Sequence, residues 1–141
     1  MSADEIVNDE PDNPCFACSP HNPRGLKMRF RRAGGGAIEC RYVAGPELAG
    51  FQGVVHGGIQ ATLLDDTMAF AARDAVDDHT ASVVTVEMNL KYRRPVPVGA
   101  PLLVRVELER RKGRQMFFSG EIRSESGDVL TQAQARWMRL D

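Results

Sequence analysis

Residues 57–76, GGIQATLLDDTMAFAARDAV, form a helix that is apolar on nearly every side. The stretch is rich in strong helix formers and contains no proline. Its apolar positions (Ile59, Ala61, Leu63, Leu64, Met68, Ala69, Phe70, Ala71, Ala72 and Ala75) go almost all the way round the axis. A helix of this kind is buried rather than laid on a surface. No second convincing helix is present, and the rest of the chain reads as strand and turn. A flat sheet cannot cover one helix on all sides, so the sheet must curl around it and a partner must cover the remainder.

The strand pattern supports this. Leu26 to Arg31 alternates apolar and basic residues, and Ala37 to Val43 closes a hairpin across Ala33–Gly36. Ala44 to Val55 is broken by Gly45, Pro46, Gly50 and Gly53 and reads as loop. Beyond the helix, Ser82–Tyr92 alternates at Val84, Val86, Met88 and Leu90, and Leu102–Arg110 alternates from Leu102 to Leu108. Met116–Ser124 and Val129–Leu140 are two more strands, with turns at Arg111–Arg114 and Glu125–Asp128. No internal repeat is visible. The fold class expected is α+β: a curled antiparallel sheet wrapped around one long central helix. The 141 residues suit one domain. Residues 1–14, acidic and without periodicity, are expected to be a flexible lead-in, and 15–141 the single domain.

Several function classes are excluded. A net charge of −1 gives no general attraction to nucleic acid or to an acidic membrane. No apolar run reaches the roughly 20 residues of a membrane span. Met1–Asn13 is the opposite of a signal peptide, so a cytoplasmic setting is expected. Three cysteines, an odd number, argue against a secreted disulfide framework. Cys15-x-x-Cys18 followed by His21 has half of a zinc pattern, but the second pair is missing and Cys40 is remote in sequence. Packing of an N-terminal strap is the expected role, with no metal and no cofactor.

The segment that carries chemistry is His56-Gly57-Gly58 and the helix it opens. The first N–H groups of a helix lack internal partners and carry the positive dipole end, and glycine lets a ligand come close. Within the same buried helix, Asp65 and Asp66 require a reason for their carboxylates. Asp65 lies eight residues beyond Gly57, about 12 Å at 1.5 Å per residue. That is too far for both to serve one carbonyl within a protomer. Two such helices running antiparallel across a dimer bring one chain's Gly57 toward the other's Asp65.

These motifs resemble those of PaaI-type hotdog acyl-CoA thioesterases. The likeness rests on His56-Gly57-Gly58 with Asp65, on Gly53-Val54-Val55, on Leu63 to Ala69, on Thr85 to Leu90 and on Tyr92 to Gly99. Cys15-Phe16-Ala17-Cys18 and Asn22 to Leu26 are similar to the opening of a subgroup. The resemblance implies a hotdog fold and hydrolysis of an acyl-CoA thioester without a cofactor. It implies that the Gly57 N–H polarises the carbonyl with His56 beside it, and that Asp65 is the nucleophile or the base that activates water. Thr85 would supply a hydroxyl that helps orient that water. Gly58, Arg93 and Arg94 are candidate contacts for the CoA phosphates, because a guanidinium donates to phosphate in a fixed fork. A homodimer or a dimer of dimers is expected, with no nucleic-acid or membrane partner. The alternatives are that Asp66 is the active carboxylate, that His56 only caps the helix, and that Thr85 is a plain strand residue. At the level of function, the alternative is a non-catalytic module that binds acyl-CoA.

Overall fold

A computed structural model describes residues 4–141. The strands are β1 (Arg31–Arg32), β2 (Ile38–Val43), β3 (Ala49–Phe51), β4 (Val54–Val55), β5 (Val83–Tyr92), β6 (Pro101–Lys112), β7 (Gln115–Ser124) and β8 (Val129–Arg139). The helix α1 spans Gly57–Ala75, and a 3-10 turn covers Pro46–Leu48. Six strands form one antiparallel sheet in the order β1-β2-β6-β7-β8-β5, and β3 with β4 forms a separate ribbon. The sheet curls around α1, as the helix pattern requires. The Ala44–Val55 segment is more ordered than its breakers suggest, because β3 and β4 pair across a turn at Gln52-Gly53, where Gly53 has φ +78.

The core lies between α1 and the inner face of the sheet. Leu63, Leu64, Met68 and Ala72 are fully buried against Val104, Val106, Phe118 and Ile122. Helix and sheet come close together at Gly120 on β7. A Cβ there would sit 2.8 Å from Val106 Cγ1 and 3.2 Å from both Leu64 Cδ2 and Met68 Cε. Glycine at this strand position makes room for the helix.

The N-terminal segment departs from the sequence reading. Leu26, Met28 and Phe30 are buried and Lys27 and Arg29 are exposed, as the alternation requires. Regular pairing is nevertheless confined to Arg31–Arg32, and Lys27 takes φ +57. The backbone there bonds to the residues before it instead: Leu26 N–H donates to Phe16 O (2.9 Å) and Met28 N–H to Ala17 O (3.0 Å). The expected lead-in covers residues 1–14, of which 1–3 lie outside the described residues. From Asp4 on it is tied down. Ile6 is buried and its N–H donates to Phe30 O (2.9 Å), while Arg32 N–H donates to Asp4 O (2.7 Å). One apolar residue in an acidic run, Ile6, finds the core edge, and its neighbours follow. Phe30 in turn stacks on Phe70 of α1, with ring centroids 4.1 Å apart.

Strand β5 also differs, and the difference positions the site. Pairing with β8 shifts register between Thr85 and Glu87, a bulge at Val86. Met88, Leu90 and Tyr92 face Ala135, Ala133 and Thr131, and so point toward the helix. A regular strand would put Val84 and Val86 on that same side. The bulge resets the alternation: Thr85, though exposed, pairs with Trp137 and turns its hydroxyl toward the helix, while Val84 and Val86 are exposed without such a contact.

Gly120→Ala is expected to lower the unfolding free energy by about 1–3 kcal/mol through overpacking under the helix, read as a lower midpoint in urea with an unchanged slope.

Candidate active site

The start of α1 is built by three contacts. His56 is its N-cap, and the imidazole Nδ1 accepts from the Gly58 N–H at 2.9 Å. The His56 N–H donates to Leu48 O (2.9 Å), which anchors the cap to the 3-10 turn. Gly50 on β3 lies close under the ring, where a Cβ would meet His56 Cα at 3.0 Å and Cδ2 at 3.1 Å. Behind the cap, the buried Gln60 donates through Nε2 to Val55 O (2.9 Å) and accepts from Thr131 Oγ1 (2.6 Å). The helix start is thus tied to β4 and β8 together. An open hollow of about 410 Å³ lies beside it, lined by Glu47, Leu48, Ala49, His56, Gly58, Ile59 and Thr62.

Gly57 is not required by the protomer's own packing. Its φ is not positive, and a Cβ there would make only ordinary contacts with the Tyr92 ring at 3.4–3.5 Å. Its N–H makes no hydrogen bond among the described residues, whereas its carbonyl accepts from the Tyr92 hydroxyl at 3.0 Å. A free helix-terminal N–H that a side chain does not shield is a ready donor to an incoming oxygen.

Asp65 sits two turns further on, toward β5. Its Oδ1 accepts from Thr85 Oγ1 at 2.5 Å. Burial pushes the Asp65 carboxyl up from its ordinary value, and the Thr85 hydroxyl partly offsets this. Asp66 points elsewhere. Successive helix residues are about 100° apart, and Asp66 Oδ1 accepts from the Cys15 thiol at 3.6 Å, inside the N-terminal strap. Burial raises Asp66 as well, against the opposing influence of the neighbouring Cys18 and Cys15 thiols. Of the two carboxylates, Asp65 is the one at the open β5 edge.

The structure therefore brings together Asp65 with Thr85, His56 with Gly58, and Gly57 with Tyr92. It keeps the first pair apart from the helix start within one protomer. Arg93 and Arg94 are exposed at the end of β5. Arg93 Nε donates to Gln132 Oε1 (2.8 Å), and Arg94 approaches Asp128 at 3.6 Å. Neither lines the hollow beside His56 and Gly58. Sequence reasoning missed Gln60 and Gly50 as parts of the site. Gln60 did carry a signal: a polar residue at an inward position of an otherwise apolar helix.

Comparison with known proteins gives the family and the fold. The sequence profile of the thioesterase superfamily matches residues 52–131, more than half of the chain. The chain belongs to the thioesterase superfamily. Among curated proteins, it is 34% identical over 105 residues to rat acyl-coenzyme A thioesterase THEM4, covering 74% of this chain and 44% of that one. The chain thus spans less than half the length of that relative. Among solved structures, it is similar to a phenylacetic acid degradation-related protein of Ralstonia eutropha JMP134, with a TM-score of 0.71 and 32% identity over 80% of this chain and 85% of that one. The Escherichia coli PaaI protein shares the fold, with a TM-score of 0.73 at 15% identity over 82% of this chain and 81% of that one. This superfamily member has the hotdog fold that its helix pattern implies, and the matched span contains His56, Gly57, Asp65 and Thr85.

His56→Ala removes the cap and is expected to cost about 1 kcal/mol of stability. His56→Asn, whose side-chain oxygen can also accept from the helix start, recovers most of that loss in thermal denaturation.

Proposed function

We propose that this domain hydrolyses the thioester of an acyl-CoA at a site shared between two protomers. The observation that carries the reading is the split of the site. The free Gly57 N–H and the Asp65–Thr85 pair lie about 12 Å apart along one helix. Two copies placed with antiparallel helices join Gly57 of one to Asp65 of the other. Strand β5 supports such a pairing, because it is an edge of the sheet and bears the exposed Val84 and Val86. A bare edge strand with apolar side chains favours pairing with a second strand. The occupant is a second copy of this chain, as a homodimer or a dimer of dimers.

In this reading the thioester carbonyl oxygen accepts from the Gly57 N–H, at the positive end of the helix dipole. Asp65 of the other protomer removes a proton from water, which attacks the carbonyl carbon; CoA leaves as the thiol. Direct attack by the carboxylate, through an anhydride that water then opens, uses the same two groups. Thr85 holds one oxygen of Asp65 and leaves the other for water. His56 fixes the Gly58 N–H and with it the path of the chain at Gly57. Arg93 and Arg94 remain candidates for the CoA phosphates at the rim, with Gly58 at the helix start. Three free thiols suit a reducing compartment, and we place the protein in the cytoplasm. No described helix is long and apolar enough to cross a membrane. The acyl-CoA thioesterase names of relatives support the substrate class.

Release of CoA thiol from a panel of acyl-CoA substrates tests the activity. Tight binding without thiol release would instead favour a binding module. Asp65→Asn is expected to abolish release while the protein stays folded, and wild-type turnover in that variant would sink the mechanism. The same substitution has a pH signature. Folded Asp65 holds its proton more tightly than an unfolded carboxyl, so its stability contribution is present below the ordinary value of 3.8 and is lost as pH rises through the raised folded value. Asp65→Asn should therefore raise the thermal midpoint at neutral pH, with the gain fading in acid. The wild-type rate should fall as pH drops through the same raised value, because the base must be ionised.

Complementation tests the shared site. Gly57→Val and Asp65→Asn should each be inactive alone. Refolded together, they form heterodimers in which one site has both groups intact, and part of the activity returns. If each site lay within a single protomer, mixing would restore nothing.

A further inference from the structure

The thioesterase reading uses Asp65 and leaves its neighbour without a role. We propose that Cys15, Cys18 and Asp66 form a binding site for one zinc ion, pinning the N-terminal strap to the middle of α1. The inference does not depend on the activity proposed above. The two cysteines lie on one tight turn, closed by Ser19 N–H donating to Cys15 O (3.1 Å), and the Cys18 N–H donates to Cys15 Sγ (3.4 Å).

The third donor comes from a different element. The ligand atoms of Cys15, Cys18 and Asp66 all lie within 4.8 Å of one another, and Cys15 Sγ is 3.6 Å from Asp66 Oδ1. Tetrahedral zinc, with Zn–S of about 2.3 Å and Zn–O of about 2.1 Å, sets a sulfur–oxygen separation of about 3.6 Å and a sulfur–sulfur separation of about 3.8 Å. A small closing of the turn meets both. Asp66 Oδ2 is a second, independent pointer: it is buried and has no hydrogen-bond partner among the described residues. A buried carboxylate oxygen without a donor is costly, and a bound cation removes that cost.

The donor set selects the metal. Two sulfurs favour zinc over magnesium or calcium, which take all-oxygen shells. Three protein donors leave one tetrahedral position for water. Binding displaces the two thiol protons to solvent and engages Asp66 as its carboxylate, with no change of oxidation state. The other residues of the half-pattern are not involved. His21 Nε2 faces Asp9 O at 3.1 Å, and Cys40 Sγ faces Arg41 O at 3.8 Å. The sequence pattern looked for its missing ligands among cysteines and histidines, whereas the fold supplies an aspartate from the helix.

Cobalt(II) titration of the full, reduced, chelator-treated chain tests this. A thiolate-to-cobalt charge-transfer band should grow to saturation at one equivalent and disappear when zinc is added. Zinc alone should raise the thermal midpoint. Cys15→Ser and Cys18→Ser should remove the band, Asp66→Asn should weaken binding, and Cys40→Ser should leave it unchanged. Because the wild-type titration is a readout in itself, a variant that fails to fold does not shield the proposal. Absence of a band saturating at one equivalent, or a band that survives Cys15→Ser, overturns it.

Discussion

Helix α1 must be buried, yet it carries two adjacent carboxylates at its midpoint, and the arrangement of the domain follows from that conflict. Neither aspartate can turn into the apolar layer formed by Leu64, Met68, Val106 and Phe118. The helical step of about 100° sends them to opposite borders of the buried face. Asp65 reaches the β5 edge and takes the Thr85 hydroxyl, and Asp66 reaches the strap and takes the Cys15 thiol. Each border then needs an element that provides a polar partner. The bulge in β5 answers one need and the folded-back strap the other.

Both carboxylates are held above their ordinary values chiefly by burial. For the base proposed at Asp65 a raised value is useful, since a group poised closer to neutrality accepts a proton more readily than a solvated carboxylate. The same burial means that the ionised form weakens the fold at neutral pH. The helix start shows a related economy. One N–H, at Gly58, is capped and stabilises the helix, while the neighbouring N–H of Gly57 makes no hydrogen bond among the described residues.

Much of this was legible beforehand. The all-round apolar helix implied a sheet curled about it, and that sheet is what the fold shows; the spacing from Gly57 to Asp65 is the basis of the proposed divided site. The spacing from Gly57 favoured Asp65 over Asp66, but where each carboxylate points was not legible, because adjacent helix residues are chemically identical until neighbours are placed on either side. Simple alternation put Val84 and Val86 on the side of Met88 and Leu90, which the bulge overturns, whereas Thr85, expected in the site from the family resemblance, does meet Asp65. A bulge inserts one residue and reverses every side chain beyond it, and no local residue type announces it. The order of residues 4–10 was also missed, since a single Ile6 produces no periodic signal.

Local rules operate through periodicity, glycine placement and helix-terminal chemistry, and these are written in consecutive residues. By itself, then, the sequence determined one buried helix, a strand-rich remainder, a glycine-rich helix start and a carboxylate two turns away. Tertiary structure alone decided which aspartate meets Thr85, which meets Cys15, and why glycine is needed at Gly120 for packing but not at Gly57. Those outcomes depend on contacts between residues far apart in the chain. They are fixed by strand register and by how closely the helix approaches the sheet, neither of which is a property of any local segment.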